Sequence, residues 1–311
     1  MNVTLPKNER REVPDLHRHK LWIYGAPFSG KTTLADHFPH PLMLNTDGNS
    51  KYVTAPAELI TDRVEVNGRL TETTLAWEVF KAYVDELAKK QNYFETIVVD
   101  LVEDMYEHCR QYIYKEMGIT HESDDSFRAW DKVRTEFLTV MKRLMNLDYE
   151  NIILISQEDI SRDITKRTGD KITAIKPNIQ DRTALKLAGM VDVVIRAVAQ
   201  DDDYRLTFKS DEVVFGGGRI KLSVKEIPND YDALMKVLEA ETPTGAPTEE
   251  AKPKKAPRVT KSAEEPKQEE PKTESVASVE DVPVPETSAQ EEPKTEAAPP
   301  RRTRRTRREE A

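Results

Sequence analysis

Residues 21–34 read Leu-Trp-Ile-Tyr-Gly-Ala-Pro-Phe-Ser-Gly-Lys-Thr-Thr-Leu, a short apolar run followed by Gly25-Ala26-Pro27-Phe28-Ser29-Gly30-Lys31-Thr32. The second half fits G-x-x-x-x-G-K-[ST] at every fixed position, the signature of a phosphate-binding loop, or P-loop. Context supports the pattern. Residues 21–24 predict a buried strand, Gly25 and Gly30 allow backbone angles closed to other residues, and residues 31–37 predict a helix whose first N–H groups face the loop. The residues from Gly25 to Thr33 are thus candidates for holding a polyphosphate, with the Lys31 ammonium reaching its outer phosphates and the Thr32 hydroxyl ligating a Mg²⁺.

Outward from this loop the chain divides by composition. Eleven of the 19 prolines lie in residues 242–311, and Tyr231 is the last aromatic residue. So little apolar surface cannot offset chain entropy, and the sequence predicts a disordered Pro/Glu/Lys-rich tail at 242–311 after a folded domain at 18–241, with residues 1–17 as an extension. The tail holds 14 Lys and Arg and 15 Asp and Glu. Of the 47 and 56 in the whole chain, 33 and 41 remain for residues 1–241, a net charge of −8. An acidic domain excludes a general coat of positive charge, so any nucleic-acid contact must come from local basic loops or from the six arginines between Arg301 and Arg308. A solvated tail would show the same acidic middle. The single cysteine, Cys109, excludes an internal disulfide or a cysteine metal cluster. No apolar run approaches membrane-spanning length and residues 1–20 are too polar for a signal peptide, which predicts a soluble intracellular protein.

Along the domain, residues 41–45 predict a strand with Asp47 just past its end, and residues 64–66 a short strand before an Asn67-Gly68 turn. The spacing of Leu75, Val79, Ala82, Tyr83 and Leu87 predicts a helix over 75–90. Residues 94–100 hold four consecutive β-branched residues, Thr96 to Val99, and end in Asp100. That suits a central parallel strand, and an acid at its carboxyl end can hold a metal-bound water beside the P-loop, the role of a Walker B acid. Helices are expected at 101–117 and 126–147, the second with Phe127, Trp130, Val133, Phe137, Val140, Met141 and Leu144 on its packing face. Residues 151–158 read as another buried strand, and Gln157 at its end can hydrogen-bond a phosphate or an attacking water.

Residues 159–176 alternate and carry Arg162, Lys166, Arg167, Lys171 and Lys176 around Thr168-Gly169-Asp170, the layout of a basic hairpin. Arg162, Lys166, Arg167 and Lys171 are candidates for phosphate-backbone contact; an exposed hairpin with solvated lysines gives the same pattern. A helix at 181–188, strands at 190–195 and 204–209, and a closing helix at 230–239 complete the domain. Arg219 and Lys221 follow a Gly216-Gly217-Gly218 triplet, a suitable place for a finger reaching a neighbouring subunit's phosphates.

With the P-loop, the Asp47 and Asp100 strand ends, Gln157 and Arg219-Ile220-Lys221 in this order, the chain resembles the RecA-like P-loop ATPases. More narrowly it is similar to the bacteriophage nucleotide-binding proteins of the AAA-type group, some of which act as single-strand annealing proteins in recombination. The resemblance covers residues 18–239. It implies an α/β RecA-like core with a mostly parallel central sheet flanked by helices, ATP and Mg²⁺ as cofactors, and ATP hydrolysis. It further implies single-stranded DNA as substrate, a homo-oligomer, a phage single-strand-binding or replication protein as a tail partner, and a place in the cytoplasm of a bacterial host. By the same resemblance Lys31 and Thr32 bind phosphate and Mg²⁺, Asp100 is the Walker B acid, Gln157 the sensor, and Arg219 and Lys221 the paired cations of a subunit interface. Asp47 falls where the family places a water-activating glutamate and is one methylene shorter, which leaves Glu103 and Glu158 as alternative bases. Two other readings stay open from the residues: a P-loop kinase of a nucleoside or small acceptor, with Arg162 and Arg167 in a lid, and a non-enzymatic ATP-gated adaptor.

Overall fold

The structure, a computed structural model, describes residues 18–67, 70–120, 127–161, 163–165, 171–211, 213–220 and 222–240, together with residues 5 and 8. The chain separates into two units, Met1–Glu250 and Ala251–Ala311, and every described residue lies in the first. The expected extension, apart from residues 5 and 8, and the expected tail lie outside the described residues, as do Arg162, Lys166, Arg167, Lys221 and the side chain of Lys171.

In chain order the elements are β1 (His19–Gly25), α1 (Lys31–Asp36), β2 (Pro41–Asn45), β3 (Ala57–Leu59), β4 (Arg63–Asn67), β5 (Leu70–Thr74), α2 (Ala76–Ala88), β6 (Thr96–Asp100), α3 (Val102–Met117), α4 (Phe127–Met145) and β7 (Asn151–Asp159). Then follow β8 (Asp163–Thr165), β9 (Lys171–Thr173), β10 (Lys176–Pro177), α5 (Asp181–Ala188), β11 (Val193–Gln200), β12 (Asp203–Thr207), β13 (Gly217–Gly218), β14 (Glu226–Pro228) and α6 (Tyr231–Ala240).

The main sheet runs β14-β12-β11-β1-β7-β6-β2-β3, and the six strands from β11 to β3 are parallel. Their apolar runs explain this. A strand buried on both faces needs a side chain for each, and the period of two sorts β1 cleanly. Trp22 and Tyr24 face a core shared with α2, α3, α4 and α5, whereas Leu21 and Ile23 face a second core closed by α1 and α6. All four are fully buried. β12 and β14 add an antiparallel edge. A mostly parallel sheet covered by helices on both faces, with the P-loop leaving one of its inner strands, is the expected α/β core.

Several expectations shift. The buried face of α2 is set by Trp77, Phe80, Val84 and Leu87, while Ala82 is exposed. Two large rings capture the face, and Trp77 stacks on Phe137 of α4 at 5.8 Å. Phe127, expected on the packing face of α4, is exposed at the helix start. The strand expected at 190–195 begins at Val193 and runs to Gln200, because pairing with β12 carries its polar half past the sheet's apolar centre. β4 pairs antiparallel with β5, a strand not expected from sequence. β8 and β9 pair antiparallel, as a hairpin there requires.

Candidate functional site

Parallel strands bring their carboxyl ends to one side, where α/β proteins bind ligands. Register places the candidates there together: Gly25 pairs with Gln157, Ile155 with Asp100, and Asp100 with Asn45. A cavity of about 470 Å³ opens over these ends, lined among others by Lys31, Thr32, Asp47, Tyr52, Asp100 and Gln157.

The loop itself needs its glycines. A Cβ at Gly25 would lie 2.2 Å from the Ala197 carbonyl oxygen, so a side chain there would push β1 from β11. Gly30 has φ +79° and caps α1 without a side-chain hydrogen bond, leaving first-turn N–H groups available to a ligand. Lys31 is buried, and its Nζ donates to the carbonyls of Gly25 at 2.9 Å and Ala26 at 2.8 Å. Burial pulls its pKa down, and the carboxylates of Asp100, Glu103 and Glu158 act against that fall.

Thr32 Oγ1 donates to Asp100 Oδ2 at 2.8 Å. Asp100 is buried, which pushes its pKa up to about 6; the Thr32 hydroxyl and Lys31 oppose the rise and Asp47 adds to it. Asp47 behaves oppositely. Burial raises it, but hydrogen bonds from Asn49 and Asn45 outweigh burial and hold it below the usual carboxylate range. Asn45 Nδ2, Asn49 N and Asn49 Nδ2 each donate to it at 2.9 Å. It is an ionised, oriented carboxylate beside the loop.

The two alternative acids are engaged elsewhere. Glu158 Oε2 accepts from Arg196 Nε at 2.9 Å. Glu103 Oε1 accepts from the Gln157 N–H at 2.6 Å, which anchors the end of β7 from the start of α3. Burial raises Glu103 to about 7 against the pull of Gln157 N–H and the Ser156 hydroxyl.

Arg219 is not brought to this site within its own chain. Gly218 pairs with Val193 at the opposite end of the strands, and the Arg219 guanidinium donates to the Gly189 carbonyl at 2.6 Å. One contributor had no sequence signal. Asn229, between β14 and α6, donates from Nδ2 to the Ser29 carbonyl at 3.0 Å and so clamps the P-loop from 200 positions away. Asn45 and Asn49 were visible only as a polar turn around Asp47.

The residues fit a Mg²⁺–nucleoside triphosphate. The loop and Lys31 present cationic and N–H donors, and Thr32 and Asp100 are hard oxygen donors of the kind Mg²⁺ takes. Among the described residues no group of three or more His, Cys, Asp or Glu side chains could hold a metal alone. A Mg²⁺ with few protein ligands completes its shell with phosphates and water.

Fold and site together define a P-loop nucleotide-binding protein. A family profile for the AAA domain, AAA_24, matches residues 17–220, and the chain belongs to that family. No curated protein matches it. Among solved structures, the crystal structure of the RadB recombinase is similar at 15% identity and a TM-score of 0.35, covering 61% of this chain and 79% of that one, a likeness too distant to carry an argument. Among the described residues no helix is long and apolar enough to cross a membrane.

Proposed function

We propose that the protein hydrolyses ATP and acts on single-stranded DNA as a homo-oligomer, in phage replication or recombination. The observation that carries the ATPase part is the convergence of Lys31, the Thr32–Asp100 pair, Asp47 and Gln157 on one cavity at the carboxyl ends of adjacent parallel strands. A bound Mg²⁺ would supply charge neutralisation at the phosphates. Thr32 and Asp100 would hold it, the carboxylate directly or through water. Lys31 would turn from the loop carbonyls to the phosphates, exchanging neutral acceptors for charged ones.

Asp47 is the base of choice. Its three N–H donors fix its orientation and keep it ionised, and it faces the cavity while Glu158 is held by Arg196 and Glu103 by Gln157. A carboxylate with a low pKa is a weak proton acceptor, so its contribution is to orient water, and turnover is slow. Gln157 lines the same cavity from β7, whose continuation leads to the β8–β9 hairpin. The DNA reading rests on that hairpin's cations Arg162, Lys166, Arg167 and Lys171, set in an acidic chain, and on the terminal arginines. Arg219 and Lys221 remain candidates for a neighbouring subunit's site.

ATPase rates with and without single-stranded DNA, for wild type and Lys31→Ala, test this. Stimulation by DNA that Lys31→Ala abolishes is expected. No stimulation and no ATP-dependent DNA binding sink the recombination reading. Mass measurement with ATP and DNA separates it from the kinase reading, which expects a monomer or dimer throughout. Deleting residues 242–311 tests the adaptor reading, in which partner binding is lost while nucleotide binding persists.

A further inference from the structure

A second cavity of about 520 Å³ lies on the other side of the P-loop helix. Phe28, Gly30 and Thr33 line both it and the phosphate cavity, so the two adjoin at the start of α1. Its remaining wall is different in kind. Tyr204 of β12 and Tyr231 of α6 bring rings to it, Asp230 gives it a carboxylate, and among the described residues His37 is the only cationisable side chain lining it. Phosphates would gain little there. A flat, uncharged group that donates hydrogen bonds and has rings to stack on would gain much.

We infer that this cavity is the nucleoside half of the nucleotide site, that Tyr204 stacks on the base, and that Asp230 accepts from its N–H or sugar O–H donors. The inference rests on the proposed nucleotide-binding function and says which part of the chain reads the nucleoside. The wall is tied mechanically to the phosphate side. Asn229 N donates to the Tyr204 carbonyl at 2.9 Å while Asn229 Nδ2 holds the Ser29 carbonyl, and a Cβ on Gly30 would sit 2.7 Å from that same Nδ2 and 3.6 Å from the Tyr204 ring. Tyr231 is fixed from behind by an edge-on contact with Phe38 at 4.9 Å, and Asp230 Oδ1 accepts from Ala233 N at 3.0 Å, leaving its second oxygen to the ligand. Tyr204 lies within the stretch 17–220 that matches the AAA domain, and residues 229–231 lie beyond it.

The test compares binding of ATP and of inorganic triphosphate, both with Mg²⁺, to the full-length chain. Wild type should bind ATP at least ~10-fold tighter than triphosphate. Tyr204→Ala should erase most of that gap, Tyr204→Phe should restore it, and Asp230→Asn should narrow it. All three should bind triphosphate within about twofold of wild type, which also reports that the P-loop is folded. If Tyr204→Ala binds ATP as wild type does, or loses triphosphate equally, the nucleoside assignment is wrong. Equal binding of ATP and triphosphate by wild type overturns this inference and leaves the P-loop reading standing. Wild type binding neither ligand overturns both.

Discussion

The floor and the rim of the phosphate cavity are built from neighbouring residues and have opposite characters. Ser29, Lys31 and Asp100 are 0, 7 and 3% exposed, whereas Phe28 and Tyr52 on the rim are 93 and 97% exposed. Everything on the floor is satisfied by the chain itself: Lys31 by loop carbonyls, Thr32 by Asp100, Ser29 by Asn229. The rim has two large rings with almost no cover. Burial of charge sets the chemistry of the floor, while the rim contributes to what binds and little to the fold. Substitutions should therefore separate: floor changes alter turnover and stability, rim changes alter binding alone.

The largest effect is expected at Lys31. Lys31→Ala removes the cation proposed to turn to the phosphates and should slow hydrolysis by about 10²- to 10³-fold, read as phosphate release at saturating ATP. Next come the two aspartates, which break the comparison most sharply because their pKa values move apart. Asp100 is raised from 3.8 to about 6 and Glu103 from 4.5 to about 7, so the folded chain binds these protons more tightly than the unfolded one. Their contribution to stability is complete below pH ~4 and is lost as pH rises through about 6 and 7. Asp100→Asn with Glu103→Gln should therefore raise stability relative to wild type at pH 8, by about 3 kcal/mol for each group, and leave it near wild type at pH 4.5, measured by urea midpoints.

Asp47→Asn should have the reverse sign. Its lowered pKa stabilises the fold above pH ~4, and that contribution is lost as pH falls. Being mostly exposed, it is worth only a few tenths of a kcal/mol after solvent screening, although turnover should still fall. Gly30→Ala forces a side chain onto φ +79° and against Asn229 Nδ2, and should cost about 1–2 kcal/mol. The smallest effect is at Tyr52. Tyr52→Ala should leave stability within about 0.5 kcal/mol of wild type, and a larger loss means the rim is part of the fold after all.

The same contrast explains what could be read from sequence. The P-loop was legible because eight consecutive residues carry it. Asp100 and Gln157 were legible because buried parallel strands are continuous apolar runs whose ends can be read. Ala57–Leu59 was not, since all three residues are exposed and only pairing with Met43–Asn45 makes them a strand. β11 was read as ending at Ile195 because its outer half alternates with Arg196 and Gln200 and is held by β12. Asn229 could not be found at all: a single amide reaching the Ser29 carbonyl from 200 residues away leaves no local pattern. The fate of Arg219 was equally hidden, because β13 pairing carries it to the far end of the sheet.

The buried floor, with Lys31 at its centre, is proposed to bind a nucleoside triphosphate. Calorimetric titration of Mg²⁺–ATP into wild type and Lys31→Ala tests it directly. Saturable binding of one ATP per chain is expected for wild type, weakened by ~100-fold or more in Lys31→Ala while both proteins give the same circular dichroism. Equal affinity for the two folded proteins, or no binding by wild type, would contradict it.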